Sequence, residues 1–192
     1  MARLIFFCGH AGTGKTTLAR RAIPRLHQAT GESFCLLDKD TLYGNFSARV
    51  MHLLTGDGND RDSPVYLENL RDLEYQGLIE VASENLTLGV NVVVVGPFSR
   101  EVREHRLHDG SRFPVPEATR IRVGWIDLDE AVARERIARR GDPRDAWKLA
   151  NWAQYRSRRF VPEPQAYPEL IRYDNSVDDA GRFDRLIEAL LA

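Results

Sequence analysis

The chain has 192 residues, 43% of them hydrophobic, enough for one sizeable core and too few for two, so a single domain spanning 1–192 is expected. Its 27 basic side chains against 28 acidic ones leave a net charge near zero, which removes any global argument for nucleic-acid or membrane-surface binding. Cys8 and Cys35 both lie in apolar runs, where a thiol packs as a small hydrophobe, so no disulfide framework is expected. The opening stretch carries only about five consecutive apolar residues, too few for a signal-peptide core, and nothing later approaches membrane-spanning length, so a cytoplasmic, soluble protein is expected.

In chain order, the first strand is predicted over 3–8 (RLIFFC), and the loop GHAGTG that follows leads into a helix on which Leu18, Ala22 and Leu26 recur at spacing four. Pro24 within it is expected to kink the helix or loosen its second half. A second strand is read at 33–37 (SFCLL). The Gly- and Asp-dense segment 56–64 is a loop, Ser63-Pro64 is a helix start, and Gly89 is a stop. Tyr66, Leu70, Leu73, Gly77 and Val81 mark one face of that helix. A third strand follows at 90–95 (VNVVVV), then a proline-containing loop over 110–120 and a fourth strand at 120–127 (RIRVGWID). A helix begins near Asp129 and runs through EAVARERIARR. The proline-rich stretch 161–169 leads to a fifth strand at 170–174, and a last helix carries Phe183, Leu186, Ile187 and Leu190 as its apolar stripe. The first three strands are continuously apolar, which suits a parallel sheet covered on both faces, so the class is α/β. No internal repeat or low-complexity tract occurs.

Gly9, Gly14, Lys15 and Thr16 satisfy G-x-x-x-x-G-K-[ST], with a buried-type strand before and a helix after. Each residue type has a task. Glycines let the backbone N–H groups of His10, Ala11, Gly12, Thr13 and Gly14 turn onto phosphate oxygens, Lys15 reaches the outer phosphates, and the Thr16 hydroxyl binds Mg²⁺, with Thr17 beside it. Nucleotide binding alone leaves transfer, coupled hydrolysis or a switch open. No guanine-reading Asn-Lys-x-Asp occurs, and the third strand ends in Gly96-Pro97 instead of the acidic pair of a motor ATPase.

Asp38 and Asp40 in LLDKDTLYG fall just past the end of the second strand, where ligands bind in such sheets. A carboxylate there can orient and deprotonate an attacking hydroxyl. Period-two spacing points the two the same way, one towards Mg²⁺ or Lys15 and the other towards the acceptor. Asp40, ahead of TLYGNF, also suits a helix N-cap.

The phosphate loop together with DKDTLYG resembles the small P-loop kinases of the adenylate-kinase-like group, especially chloramphenicol phosphotransferase, the gluconate and adenylylsulfate kinases, and zeta toxins. The resemblance implies a three-layer sandwich, a five-stranded parallel sheet of order 2-3-1-4-5 with helices on both faces, and a mobile lid at about 130–160. It also implies Asp40 as base for the acceptor hydroxyl. From Arg134 to Arg159 the chain holds eight arginines, able to neutralise the moving phosphoryl group on closure. The resemblance assigns Arg140 and Arg144 to phosphate, Arg136 to the base, and Asn175 to the neighbourhood of adenine, with Gly141-Asp142-Pro143 as the joint.

Arg49, Arg61, Asp62 and Tyr66 flank the expected acceptor position, and Arg100 follows the third strand; all are candidates for reading substrate polar groups. The segment GDGNDRD lacks calcium-loop spacing, and His105 and His108 lack partners for zinc. Trp125, Trp147 and Trp152 are expected in the core or in lid packing. The expected protein is an ATP- and Mg²⁺-dependent kinase of a small-molecule hydroxyl, monomeric or homodimeric, with no nucleic-acid or membrane partner. A polynucleotide 5′-hydroxyl kinase and a nucleotide-binding regulatory protein without an acceptor are the alternatives.

Overall fold

A computed structural model describes residues 1–109 and 114–192. Of the segment read as the loop 110–120, residues 110–113 lie outside the described residues. Five strands, β1 (Arg3–Cys8), β2 (Phe34–Asp38), β3 (Asn91–Val95), β4 (Arg120–Asp127) and β5 (Ile171–Asp174), form one sheet in the order β2-β3-β1-β4-β5, with every pair parallel. Alternate β1 residues face opposite ways. Leu4, Phe6 and Cys8 enter one core and Ile5 and Phe7 the other, which is why the run is apolar throughout. Helix α1 (Lys15–Thr30) and the last helix, α8 (Ala180–Leu191), cover the second face through Leu18, Ala22, Leu26, Phe183, Leu186, Ile187 and Leu190. Trp125 lies in the first core. Cys8 and Cys35 are free. Among the described residues no helix is long and apolar enough to cross a membrane.

Two sequence expectations are corrected. Helix α1 runs unbroken through Pro24, because Pro24 and Arg20, whose carbonyl loses its donor, both lie on the solvent side. The helix after Ser63, here α3, is not one regular spiral: a first turn at Pro64–Tyr66 is followed by a π-helical turn at Leu67–Arg71 and an α-helical body at Asp72–Thr87. The extra residue in the π-turn shifts the helix phase. Tyr66 and Leu70 are buried as expected, but Leu73 is 64% exposed and Val81 36%, and the buried face continues through Glu74, Tyr75, Leu78, Ile79, Ala82 and Leu86. Gly77 is half-buried beneath Tyr43 of α2 (Lys39–Thr55).

The remaining elements are α4 (Ser99–Arg103), α5 (Glu130–Arg140), capped by Asp129, a 3₁₀ turn at Pro143–Asp145, α6 (Ala146–Ala150) and α7 (Trp152–Ser157). Trp147 and Trp152 pack in this region under Arg158 and Arg134.

Candidate functional site

The loop between β1 and α1 has left-handed or otherwise positive φ at Gly9 (138°), Gly12 (80°) and Gly14 (87°). A side chain at Gly9 would put Cβ 2.5 Å from the Ile126 carbonyl oxygen, and one at Gly12 would put it 2.7 Å from that of Ala133 on α5. At Gly14 it would lie 2.6 Å from Asn175 Nδ2. The buried Thr13 hydroxyl donates to the His10 carbonyl at 3.0 Å, which closes the loop internally. Lys15 Nζ donates to the same carbonyl at 2.6 Å. Burial, with Arg140 adding to it against Asp40, Cys8 and Asp38, lowers the Lys15 pKa to about 8.

The Thr16 hydroxyl donates to Asp38 Oδ2 at 2.8 Å, and Asp38 Oδ1 accepts the amides of Asp40 and Thr41. Asp38 therefore caps α2, the role that the sequence also offered to Asp40, and it faces the loop. The Asp40 side chain is 60% exposed, 3.3 Å from Lys39 Nζ and 3.9 Å from Arg144. Desolvation alone would raise the Asp40 pKa, but Lys39 first, then Arg144 and Lys15, outweigh it and hold the carboxyl below its ordinary value.

Loop, DKD segment and arginine-rich region line one cavity of about 610 Å³. His10, Ala11, Gly12, Gly14, Lys15, Thr16, Thr17, Asp38, Asp40, Arg61, Tyr66, Arg136, Arg140 and Arg144 all face it. Asn175 lies just beside it: its Nδ2 donates to the Thr13 carbonyl at 2.8 Å, and its own carbonyl accepts from Arg136 at 3.3 Å. Arg140 and Arg144 arrive already paired, with Asp145 and Asp142 respectively. The Arg144 guanidinium bonded to Asp142 lowers that carboxyl to about 2. Arg61 spends its donors on the carbonyls of Gly44, Gly58 and Asp60 and so pins the loop before α3 onto α2.

Two candidates fall elsewhere. Arg49 is exposed on α2 and does not line the cavity. Arg100 turns outward to an ion pair with Asp72. Arg71 takes the inward place: 13% exposed, bonded to Glu101 and Asp72, its guanidinium lies 4.3 Å above the Tyr75 ring. Arg71 closes the π-turn at Leu67–Arg71, and no composition signal marks that turn.

Three further features were not anticipated. The Tyr155 hydroxyl on α7 accepts the Ala11 amide at 3.2 Å. His10 Nε2 lies 2.7 Å from the Phe160 carbonyl oxygen and 2.8 Å from its amide nitrogen, serving one or the other according to tautomer, so the loop is tied to the end of the arginine-rich segment. Burial, with Arg159 and Lys15 adding to it, lowers the His10 pKa to about 4. Lys39 and Glu74 form a buried ion pair of 2.8 Å beside Asp40. Spacing held one signal for that pair, since Glu74 falls four residues after buried Leu70 and four before buried Leu78.

Comparison with known proteins agrees with the fold that carries this site. The fold is shared with a sugar kinase from Janibacter sp. HTCC2649 (18% identity, 99% of this chain and 95% of that one, TM-score 0.63). It is also shared with the Mycobacterium tuberculosis APS kinase solved with AMPPNP and APS (17% identity, 100% and 98%, TM-score 0.61). A third is Chaetomium thermophilum Kti12 in complex with ADP-AlF3 (17% identity, 98% and 97%, TM-score 0.63). No curated protein sequence matches the chain. Residues 4–162, from β1 through the arginine-rich segment, match the family described as AAA domain. With its glycine-cradled loop on a 2-3-1-4-5 parallel sheet, the chain belongs to that family of P-loop nucleotide-binding domains.

Proposed function

We propose that the protein is an ATP-dependent phosphotransferase that moves the γ-phosphate to a hydroxyl of a small molecule, sugar-, nucleoside- or antibiotic-like. The observation that carries this reading is that an exposed, cation-flanked carboxylate, Asp40, shares one cavity with Lys15 and Thr16. The sugar kinase and the APS kinase of the same fold support it.

The residues present suit a magnesium nucleotide. The loop excludes Cβ atoms at Gly9, Gly12 and Gly14, leaving backbone N–H groups to face an anion, and α1 begins on it. Thr16 would hold Mg²⁺, with Asp38 orienting its hydroxyl. The bound ion would neutralise charge on the phosphates. Lys15 would exchange the His10 carbonyl for the outer phosphates, and Arg140 and Arg144 would exchange Asp145 and Asp142 for the transferring group. Arg136 and Asn175, beside Gly14, would border the base. Asp40, kept ionised by its cations, would orient the acceptor hydroxyl and take its proton late, as a loose transition state allows. Arg61 and Tyr66 would shape the acceptor wall, Arg61 through the loop it pins.

The test is a screen of metabolites and antibiotics for γ-phosphate acceptance, with Asp40→Asn alongside. The variant should bind ATP as tightly as the native protein and lose transfer; normal turnover would sink the assignment. Tight ATP binding without transfer to any compound would favour the regulatory reading. Salt-sensitive binding of an oligonucleotide would favour a polynucleotide kinase.

A further inference from the structure

Lys39 lies between two carboxylates of opposite character. Glu74 is 3% exposed and fully engaged: Oε2 takes Lys39 Nζ at 2.8 Å and the Tyr66 hydroxyl at 2.6 Å, while Oε1 accepts from the buried Ser47 hydroxyl. Asp40, at the cavity, is far more exposed, and its Oδ1 is 3.3 Å from the same ammonium. The ammonium has three donors. Glu74 takes one and the Tyr66 hydroxyl accepts another at 3.4 Å, and Asp40 Oδ1 stands in ion-pair range of the same ammonium.

We propose that Lys39 is a positioning residue which, seated on Glu74, fixes the Asp40 carboxylate on the acceptor side of the cavity. The inference rests on the reading of Asp40 as the base. An uninterrupted α-helix would set Tyr66 and Glu74, eight residues apart, roughly 80° apart around its axis. The extra residue of the π-turn at Leu67–Arg71 takes up most of that difference and brings both under Lys39. A buried ion pair adds little stability over well-packed apolar residues, so stability alone is no reason for this one. Its reach to a third, solvent-facing carboxylate supplies the reason. Burial alone would lower the Lys39 pKa, but Asp40, Tyr75 and Glu74 reverse that and hold it above its ordinary value, so the cation persists at neutral pH. The other charged groups facing Asp40 are Arg144 and Lys15.

The experiment is a ¹³C-carboxyl NMR titration of Asp40 in the full chain, assigned with Asp40→Asn. The variants are Lys39→Arg and the double substitution Lys39→Met/Glu74→Gln, which leaves no unpaired buried charge. In the double variant the Asp40 midpoint should rise by about one pH unit; in Lys39→Arg it should stay near the native value, as mere packing damage would not predict. Lys39→Gln, able to bond Glu74 through its amide, carries the same expectation as the double variant if the latter does not fold. An unchanged midpoint in a folded neutral variant overturns the proposal. Asp40→Asn that still transfers phosphate sinks the base reading instead, whatever the titration gives, so the two failures are distinct.

Discussion

The Thr16 hydroxyl and the Asp38 carboxylate are joined across 2.8 Å, and the other oxygen of the same carboxylate caps α2. One side chain thus fastens the phosphate loop to the helix that carries Lys39 and Asp40. Asp38→Ala removes both bonds and should cost about 1–2 kcal/mol of stability, the usual range for a lost cap. Asp38→Asn keeps an acceptor for the cap and should cost less. Urea denaturation of the three proteins checks the order.

Lys15→Ala should weaken ATP binding by about 10- to 100-fold, the equivalent of one charge-assisted hydrogen bond to phosphate. Folding stability should not fall, because burial already depresses this ammonium to about 8, so its charge is held at a cost. Calorimetric titration with a nonhydrolysable analogue and a thermal melt separate the two effects; unchanged affinity would count against the loop.

Gly12→Ala should destabilise the protein by about 2 kcal/mol, because φ is 80° and the new Cβ would meet backbone at Ala133 and the Ile137 side chain. The strain falls on α5, so thermal melting should drop together with ATP affinity. A variant that melts like the native protein would contradict the close approach.

His10 supplies a pH dependence. Its pKa is about 4 in the fold against 6.5 unperturbed. Between those values the unfolded chain binds a proton that the folded chain refuses, so this contribution is fully present above pH 6.5 and is lost as pH falls towards 4. The whole loss is on the order of 3 kcal/mol. Denaturation curves from pH 7 to 4.5 should show it, and His10→Gln should flatten the His10 part of the slope.

The five strands were legible because buried parallel strands read as continuous apolar runs, and their bounds in the structure lie within one residue of expectation. The phosphate loop was legible because its glycines, lysine and threonine have fixed spacing. The order of the strands came from resemblance to a family, not from periodicity. What stayed hidden depends on helix phase and on partners distant in sequence. A π-turn changes which residues of its own helix face inward without changing composition, so Leu73 meets solvent while Arg71 turns to Glu101; Arg100, on α4, is drawn outward by Asp72, which is distant in sequence. Lys39, between two aspartates, looks like ordinary surface charge until Glu74, thirty-five residues on, is brought beneath it. The kink expected at Pro24 does not form because the carbonyl it deprives faces water, which sequence does not reveal.

Four of the arginines that line the cavity come with their own counter-ions. Asp142, Asp145, Asp62 and Glu101 already hold Arg144, Arg140, Arg158 and Arg71. Occupying the cavity is therefore an exchange of partners, and the carboxylates released must be left with a neighbour; Asp145 keeps Lys148 at 3.6 Å. Such an arrangement sets a threshold: a weak anion such as chloride cannot outbid a carboxylate a few ångströms away, whereas a polyphosphate with several oxygens can. These four carboxylates would thereby act as a filter on which anions their arginines answer.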